Sequence, residues 1–417
     1  MLAISGYTFN TQLSIGERTI IYAGRRNDDH TPVIAKLCRN PRPGPRELAM
    51  LRHESALLQE LNMPELGEVY GIEPHGMGLA LLRQQLPGLS LEKLLAQNSD
   101  GRLPLTSALK VAINLAATLD KIHRHRVIHK DVKPSNVLVT PNTLETSLID
   151  FGIATRVSGA TQAMVAPDAL EGTLAYMSPE QTGRMNQVVD HRSDLYMLGT
   201  TLYEMVTGGR PFTSTSALEL IHSHIARMPP APHDVDRAIP RSVSSIIMKL
   251  LAKSAEDRYQ SGFGLERDLR KCLQRVCEGD NRAFELASED VATQLRFPQK
   301  LYGRESALQQ LQSAFKRATQ GTTELLLIAG HPGAGKSSLV QEVHKSIAVS
   351  GGYFVSGKYE QLHRSVPYAP LLAALGDLIR QFLGESDDTL ARWRERILDA
   401  LGNSGGVMTA VLPELEL

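Results

Sequence analysis

The sequence predicts an α+β chain whose early strands give way to helices, followed by part of an α/β domain. Three observations carry this. Short β-prone runs broken by turns occupy residues 7–37 and return at Leu79–Leu82. Longer segments with apolar residues at helical spacing follow, as at Arg46–Leu61, Thr106–Arg124 and Val243–Leu251. Far downstream, an apolar run at Leu325–Ala329 leads into a glycine-rich loop and then a helical pattern.

Composition bounds the reading. The chain has 417 residues, enough for two or three domains. Its 45 basic and 45 acidic residues cancel, so no basic excess points to nucleic acid and no acidic excess to a disordered tail. The three cysteines, Cys38, Cys272 and Cys277, have no metal-ligand spacing, which fits a reducing, cytoplasmic compartment. No apolar run is long enough for a membrane span, and the start has no signal-peptide pattern.

The elements follow in order. Thr19–Tyr22 and Val33–Leu37 are the best early strands, with a polar turn over Arg26–Thr31. Pro41–Pro45 breaks the chain before the helix Arg46–Leu61. There Leu51, Glu54, Leu58 and Leu61 share one face, so a carboxylate sits among leucines. Glu47 is the competing acid, a turn and more earlier. Leu79–Leu82 is an apolar strand, and Arg83–Gly88 reads as a polar connector. Thr106 is expected to cap the next helix, whose inner face carries Leu109, Ala112, Leu115, Leu119 and Ile122. His123, His125 and His129 crowd its end without carboxylate or cysteine partners at ligand spacing, so a metal site is not the expected reading.

The most informative stretch is Val127–Val139, VIHKDVKPSNVLV, with Asp150-Phe151-Gly152 a short way beyond. Phosphoryl transfer needs a carboxylate for the attacking hydroxyl's proton, a cation on the moving phosphate, and oxygen ligands for Mg²⁺. Asp131, Lys133, Asn136 and Asp150 offer those groups in that order. The pairing resembles the catalytic and metal-binding loops of protein kinases. Further parts of the resemblance lie on either side: Val33-Ile34-Ala35-Lys36, Ser178-Pro179-Glu180, Ser193-Asp194 and Glu256-Asp257-Arg258.

The resemblance implies an α+β two-lobed protein-kinase-like fold over about residues 1–275, with ATP and Mg²⁺ as cofactors. It implies Asp131 as the base and Lys133 as the cation on the transferred group. Asn136 and Asp150 would hold metal, while Lys36 and Glu54 would set the nucleotide. Asp194 would hold the backbone of the catalytic loop, and Arg258 would pair with Glu180. Thr173, after Glu171 and Gly172, would hydrogen-bond Asp131. Lys133 favours the serine/threonine class, so a protein substrate with a Ser/Thr acceptor is expected. The sequence departs from the pattern at three places. Only Gly16 survives of the glycine loop that closes over phosphates. Arg83 and Gln84 stand where an apolar residue and an acid are usual. Lys130 replaces an arginine that usually reads a phosphorylated activation segment, and an ammonium is a poor two-pronged donor.

The stretches EGTLAYMSPEQTGRMN and KSAEDRYQSG narrow the match. They resemble large bacterial signalling proteins that join a serine/threonine kinase to a STAND-type ATPase and often to sensor and histidine-kinase modules. Residues 276–300 read as a linker, polar apart from Phe284 and Phe297, and Leu301-Tyr302-Gly303-Arg304-Glu305 leads into a helix. Gly330-His331-Pro332-Gly333-Ala334-Gly335-Lys336-Ser337 is a P-loop. Backbone N–H groups around Gly330, Gly333 and Gly335 would cradle phosphate, Lys336 would reach the β/γ-phosphates, and Ser337 would ligate Mg²⁺. Tyr353–Ser356 is a candidate second strand, and Leu371–Phe382 and Leu390–Leu401 are candidate helices. No apolar strand ending in paired acids precedes Leu417, so the expectation is a partial P-loop NTPase domain over 301–417. A second reading stays open: a pseudokinase scaffold, supported by the missing glycines.

Overall fold

The computed structural model describes residues 2–16, 18–156, 173–182, 188–214, 216–280, 282, 284–291, 303–331, 334–337, 339–340, 343, 347, 352–357, 359, 368–383, 387–402, 405–412 and 415. The chain opens with strands β1 (Leu2–Ile4), β2 (Tyr7–Ile15), β3 (Thr19–Arg26) and β4 (Pro32–Cys38). Helix α1 (Pro45–Leu61) intervenes before β5 (Val69–His75) and β6 (Gly78–Gln84). The six strands form one antiparallel sheet in the order β1-β2-β3-β4-β6-β5.

Strand periodicity sorts its side chains. Val33, Ala35 and Leu37 of β4 pack with Ile4, Phe9, Ala80 and Leu82 into a small core on one face. The alternate residues take the other face. In register, Lys36 lies opposite Leu81 and Ile34 opposite Arg83, so Lys36 and Arg83 share the second face. The strand β6 runs through Gln84, so Arg83 and Gln84 belong to the sheet and not to a polar connector.

A helical lobe follows, with α2 (Leu91–Ala96), α3 (Leu105–Arg124), α4 (His191–Thr207), α5 (Ala217–Ala226), α6 (Pro232–Val235), α7 (Arg241–Leu250) and α8 (Gly262–Glu278). Short strands β7 (Leu89–Ser90), β8 (Val127–Ile128), β9 (Val137–Val139), β10 (Thr146–Leu148) and β11 (Thr155–Arg156) frame the loops between them. Helix α3 is the axis of this lobe: Leu109, Val111, Ala112, Leu115, Leu119 and Ile122 are all fully buried. Thr106 does not cap it. The helix begins one residue earlier, and the extended Pro104 supplies the first carbonyl, which accepts from the Ala108 N–H at 2.9 Å. One continuous core joins α3, α4, α7 and α8 to Leu57, Leu58 and Leu61 of α1, so the base of α1 is anchored in the helical lobe.

Residues 284–290 lie on this lobe as a strap. Phe284 packs under the cations of Lys271 and Arg275, 4.7 and 5.1 Å from its ring centre. The Ala287 N–H donates to Asp268 Oδ2 at 2.7 Å. Asp290 accepts from the Gln260 N–H and the Ser261 hydroxyl, both at 2.6 Å. Gly264 leaves room for it, since a Cβ there would come within 2.3 Å of the Asp290 carboxylate. Much of the expected linker is therefore docked, while Phe297 lies outside the described residues.

Beyond it stand helix α9 (Glu305–Ala318) and helices over Ala369–Leu383, Asp387–Leu401 and Gly405–Val411. Neither Leu325–Ala329 nor Tyr353–Ser356 forms a strand. Leu325 and Leu327 are more than four-fifths exposed, and no neighbouring strand pairs with them among the described residues. An apolar strand of this kind gains its stability from a ladder and from cover on both faces.

Candidate active site

Three loops of the helical lobe converge below the second face of the sheet. The turn after β8 carries His129, Lys130 and Asp131. The carboxylate of Asp194, fully buried in the first turn of α4, accepts from the His129 N–H at 2.9 Å and the Lys130 N–H at 2.8 Å. His123, at the end of α3, adds a ring nitrogen at 2.8 Å. Burial works to raise the Asp194 carboxyl, but the hydrogen bond and charge of His123, with the His129 N–H, hold it below its ordinary value. This clamp stabilises an uncommon backbone, because Lys130 has φ +68°.

His129 is fully buried and edge-on to Phe151, with ring centres 4.7 Å apart. Its Nδ1 accepts from the Asp131 N–H at 3.2 Å, so its Nε2–H faces the Ile149 carbonyl, also at 3.2 Å. His123 and His129 therefore brace the loop, and among the described residues no three His, Cys, Asp or Glu side chains gather as a metal cluster.

Asp131 is the centre of the constellation. Its Oδ2 accepts from Lys133 Nζ and from Asn136 Nδ2, each at 2.8 Å. Asn136 also donates to the Asp131 carbonyl at 2.9 Å. The other oxygen, Asp131 Oδ1, is buried without a hydrogen-bond partner. Lys133 extends the group to Thr173, whose Oγ1 accepts at 2.6 Å. Thr173 therefore reaches Asp131 through the ammonium, not by the direct hydrogen bond that the resemblance implied. Glu171 and Gly172 lie outside the described residues.

On the sheet side, Lys36 Nζ donates to Glu54 Oε2 at 2.6 Å and to Asp150 Oδ1 at 2.8 Å. Burial alone would lower the Lys36 ammonium, but the two carboxylates outweigh it and raise it above its ordinary value. Asp150 shows the reverse balance. Burial opposes its charge, yet Lys36 and the Gly152 N–H hold its carboxyl well below the usual range. Asp150, like Lys130, has a left-handed backbone, φ +68°. Glu47 is not on Lys36. It accepts from the Gly44 N–H at 2.8 Å and caps α1.

These groups suit Mg²⁺ and a triphosphate. Asn136 spends its NH₂ on Asp131, which turns its carbonyl Oδ1 the other way, and Asp150 adds a carboxylate held in its charged form. Mg²⁺ is commonly bound by one or two such groups with phosphate oxygens completing the shell, so no three-residue cluster is needed. Gly16 sits at the tip of the β2–β3 hairpin, where its N–H donates to the Thr19 carbonyl at 2.8 Å.

The activation-segment end is fixed by a buried ion pair. Arg258 donates to both oxygens of Glu180, at 2.7 and 2.9 Å. Ser193 adds a hydrogen bond to Glu180 at 2.6 Å. Gln181 then donates to the Lys130 carbonyl at 2.8 Å and links this anchor to the catalytic turn.

In the second part, Gly335 has φ +81°, and Lys336 and Ser337 begin a helical stretch. Lys336 Nζ donates to the carbonyls of Gly330 and His331 at 2.7 and 2.9 Å, closing the loop on itself. Gly333 lies outside the described residues.

Two partnerships escaped the sequence. His123 to Asp194 joins residues with no local spacing. Arg83 is buried and donates to Glu54 Oε1 at 3.3 Å and to the Leu66 carbonyl at 2.6 Å. Burial lowers the guanidinium from its ordinary value, with Glu54 opposing. The available signal was strand parity: Arg83 is two residues from Leu81, the register partner of Lys36.

A buried lysine–glutamate pair over an aspartate turn, closed by the Glu180–Arg258 bond, matches what comparison finds. Residues 7–269 match the protein kinase domain, and the chain belongs to that family. Residues 300–415 match the AAA ATPase domain, so an AAA-type ATPase domain follows the kinase domain. The chain is 35% identical over 264 residues to hybrid signal transduction histidine kinase G of Dictyostelium discoideum, covering 58% of this chain and 8% of that one. It is 28% identical over 278 residues to serine/threonine-protein kinase PknB of Mycolicibacterium smegmatis, 66% of this chain and 43% of that one. It is 30% identical over 257 residues to probable serine/threonine-protein kinase CPE1738 of Clostridium perfringens, 61% and 36% respectively. The chain thus spans less than half the length of each of these relatives. No helix among the described residues is long and apolar enough to cross a membrane.

Proposed function

We propose that this chain transfers the γ-phosphate of ATP to serine or threonine of a protein, as one part of a bacterial signalling protein in the cytoplasm. The observation that carries the reading is Asp131: one oxygen held by Lys133 and Asn136, the other buried and without a donor. A buried acceptor with no partner is costly, and a substrate hydroxyl is the donor that would satisfy it. Asp131 then takes that hydroxyl's proton, and Lys133 steadies the negative charge of the group in transit. Lys36, oriented by Glu54, holds the α- and β-phosphates, and Gly16 lies on the hairpin above them. Asn136 and Asp150 hold Mg²⁺, which when bound neutralises phosphate charge. The kinase unit covers about 1–275, extended by the strap to Asp290. Residues 301–417 carry the ATPase domain, where Gly330, Gly333, Gly335, Lys336 and Ser337 bind a second nucleotide. Sensor and histidine-kinase modules are the proposed companions.

The test is transfer from labelled ATP to a generic protein substrate. Asp131→Asn puts an amide where a proton acceptor is needed. It should lower turnover by about 10²- to 10⁴-fold while ATP affinity holds. The label should be on serine or threonine, and label on tyrosine alone would sink the class assignment. If the unmutated chain labels neither itself nor any protein offered, the scaffold reading replaces this one. The lone glycine of the β2–β3 turn, Gly16, is the observation that favours it.

A further inference from the structure

Arg83 is a charged residue on an otherwise apolar stretch of β6, with its side chain 4% exposed. Its contacts reach three parts of the sheet lobe. Strand pairing ties its backbone to Ile34 of β4 and Val69 of β5. Its guanidinium bonds the Leu66 carbonyl, just before β5, and Glu54 Oε1 on α1. Glu54 gives its other oxygen to Lys36, which also holds Asp150. Four ionised side chains thus run in a line, Asp150–Lys36–Glu54–Arg83, with no net charge.

A buried guanidinium is expensive to desolvate, and an apolar side chain would fill the same space more cheaply. Arg83 also leaves its Nε buried without a partner. What it supplies in return is a second, rigid grip on Glu54. The Lys36 stem is flexible and reaches two carboxylates, so by itself it fixes Glu54 weakly. Arg83 is planar and is itself pinned by Leu66.

We propose that Arg83 is a positioning residue for the nucleotide phosphates: it holds Glu54, and thereby α1, in the place where Glu54 orients Lys36. Because α1 is tied to the sheet through both β4 and β6, the lysine–glutamate pair is formed without help from a phosphorylated activation segment. This agrees with Lys130, which stands where a two-pronged phosphate reader would be. The inference rests on the kinase reading above for its effect on turnover.

The experiment compares adenosine with ATP·Mg²⁺ by calorimetry on the full 417-residue chain. Every protein carries Lys336→Ala, so the P-loop does not contribute. Arg83→Met leaves Glu54 Oε1 a buried acceptor without its donor, and the docked position of α1 loses about ten-fold in population. ATP affinity and turnover should each fall about ten-fold, with adenosine affinity within two-fold of the starting protein. Arg83→Lys should recover only a small part of the loss, because a flexible ammonium cannot hold Glu54 and the Leu66 carbonyl together as the planar fork does. In a Glu54→Gln background, Arg83→Met should add little. Should the methionine protein not fold, Arg83→Gln is the second variant, with the same split between ligands expected. Equal losses for adenosine and ATP would mean that Arg83 only lines the base pocket, and would overturn the proposal. Unchanged ATP affinity with a lowered melting temperature would also overturn it, leaving a packing role. If the unmutated chain binds ATP but transfers no phosphate, the kinase reading fails, and the binding comparison still decides the role of Arg83.

Discussion

Removing Arg258 should loosen the helical lobe more than removing its partner. Arg258→Met takes away both hydrogen bonds to Glu180 and leaves that carboxylate buried, with Ser193 as its remaining side-chain donor. Breaking a buried ion pair from one side costs about 3–5 kcal/mol. Arg258 also donates to the carbonyls of Ala252, Lys253 and Arg192. Each one left dry adds about 1–3 kcal/mol. Glu180→Gln keeps a neutral hydrogen bond to Ser193 and leaves the arginine on its three carbonyls, so it should sit near the lower figure. The double mutant should cost less than the sum by about 2 kcal/mol, since the second change strands no new charge. Tryptophan fluorescence is blind to this, because the single tryptophan, Trp393, is stacked on Phe382 in the second part of the chain. Hydrogen exchange of the α4 amides reads it directly. In Arg258→Met these amides should exchange at least about 10²-fold faster. Unchanged α4 protection, or strict additivity in the double mutant, would refute the view that the pair anchors the lobe.

Other outcomes follow from the same geometry. Replacing Thr155, Ser158 and Thr161 by alanine should leave turnover within a few-fold, because the Lys130 ammonium lacks the fork that reads a phosphate; of these only Thr155 lies within the described residues, and a loss of orders of magnitude would show that Lys130 reads one. Burial, helped by the charge of Lys253, lowers His224 from 6.5 to about 4. The folded pKa is depressed, so its contribution is present in full above about pH 6.5 and is lost as pH falls towards 4, about 3 kcal/mol in all. His224→Asn should flatten that part of the urea-midpoint profile between pH 7 and 4, and an unchanged slope would assign the acid sensitivity elsewhere. Phe284→Ala removes the ring beneath Lys271 and Arg275 and should raise exchange at Ala287 and Asp290 without affecting α3.

How much was legible varied with the kind of signal. Glu54 was readable because helical spacing put it on a leucine face, and it is buried beside Leu51, Leu58 and Leu61. Asp194 and Arg258 were readable only as members of an ordered set, since their partners lie 64 and 78 residues away. Arg83 was misread as part of a connector because local polarity outweighed strand parity; a charge within an apolar strand asks for a partner across the fold, which spacing cannot supply. The strap was misread for a related reason. Its residues are mostly polar, and Asp290 is held by backbone and hydroxyl donors that no periodicity announces. Leu325–Ala329 failed the other way. Its composition suits a strand, but a strand is a property of pairs, and among the described residues it has no neighbour.

The docking of the strap also sets a leash. Asp290 is fastened to Gln260 and Ser261, so the distance to the next helix is counted from there and not from the end of α8. From Asp290 to Glu305 the chain can span at most roughly 50 Å, whatever path it takes. A single domain within that radius corresponds to a concentration on the order of millimolar. At that concentration, contacts between the two domains too weak to survive between separate molecules would be substantially occupied. Undocking Phe284 and Asp290 would lengthen the leash and dilute the encounter, with no change to either surface.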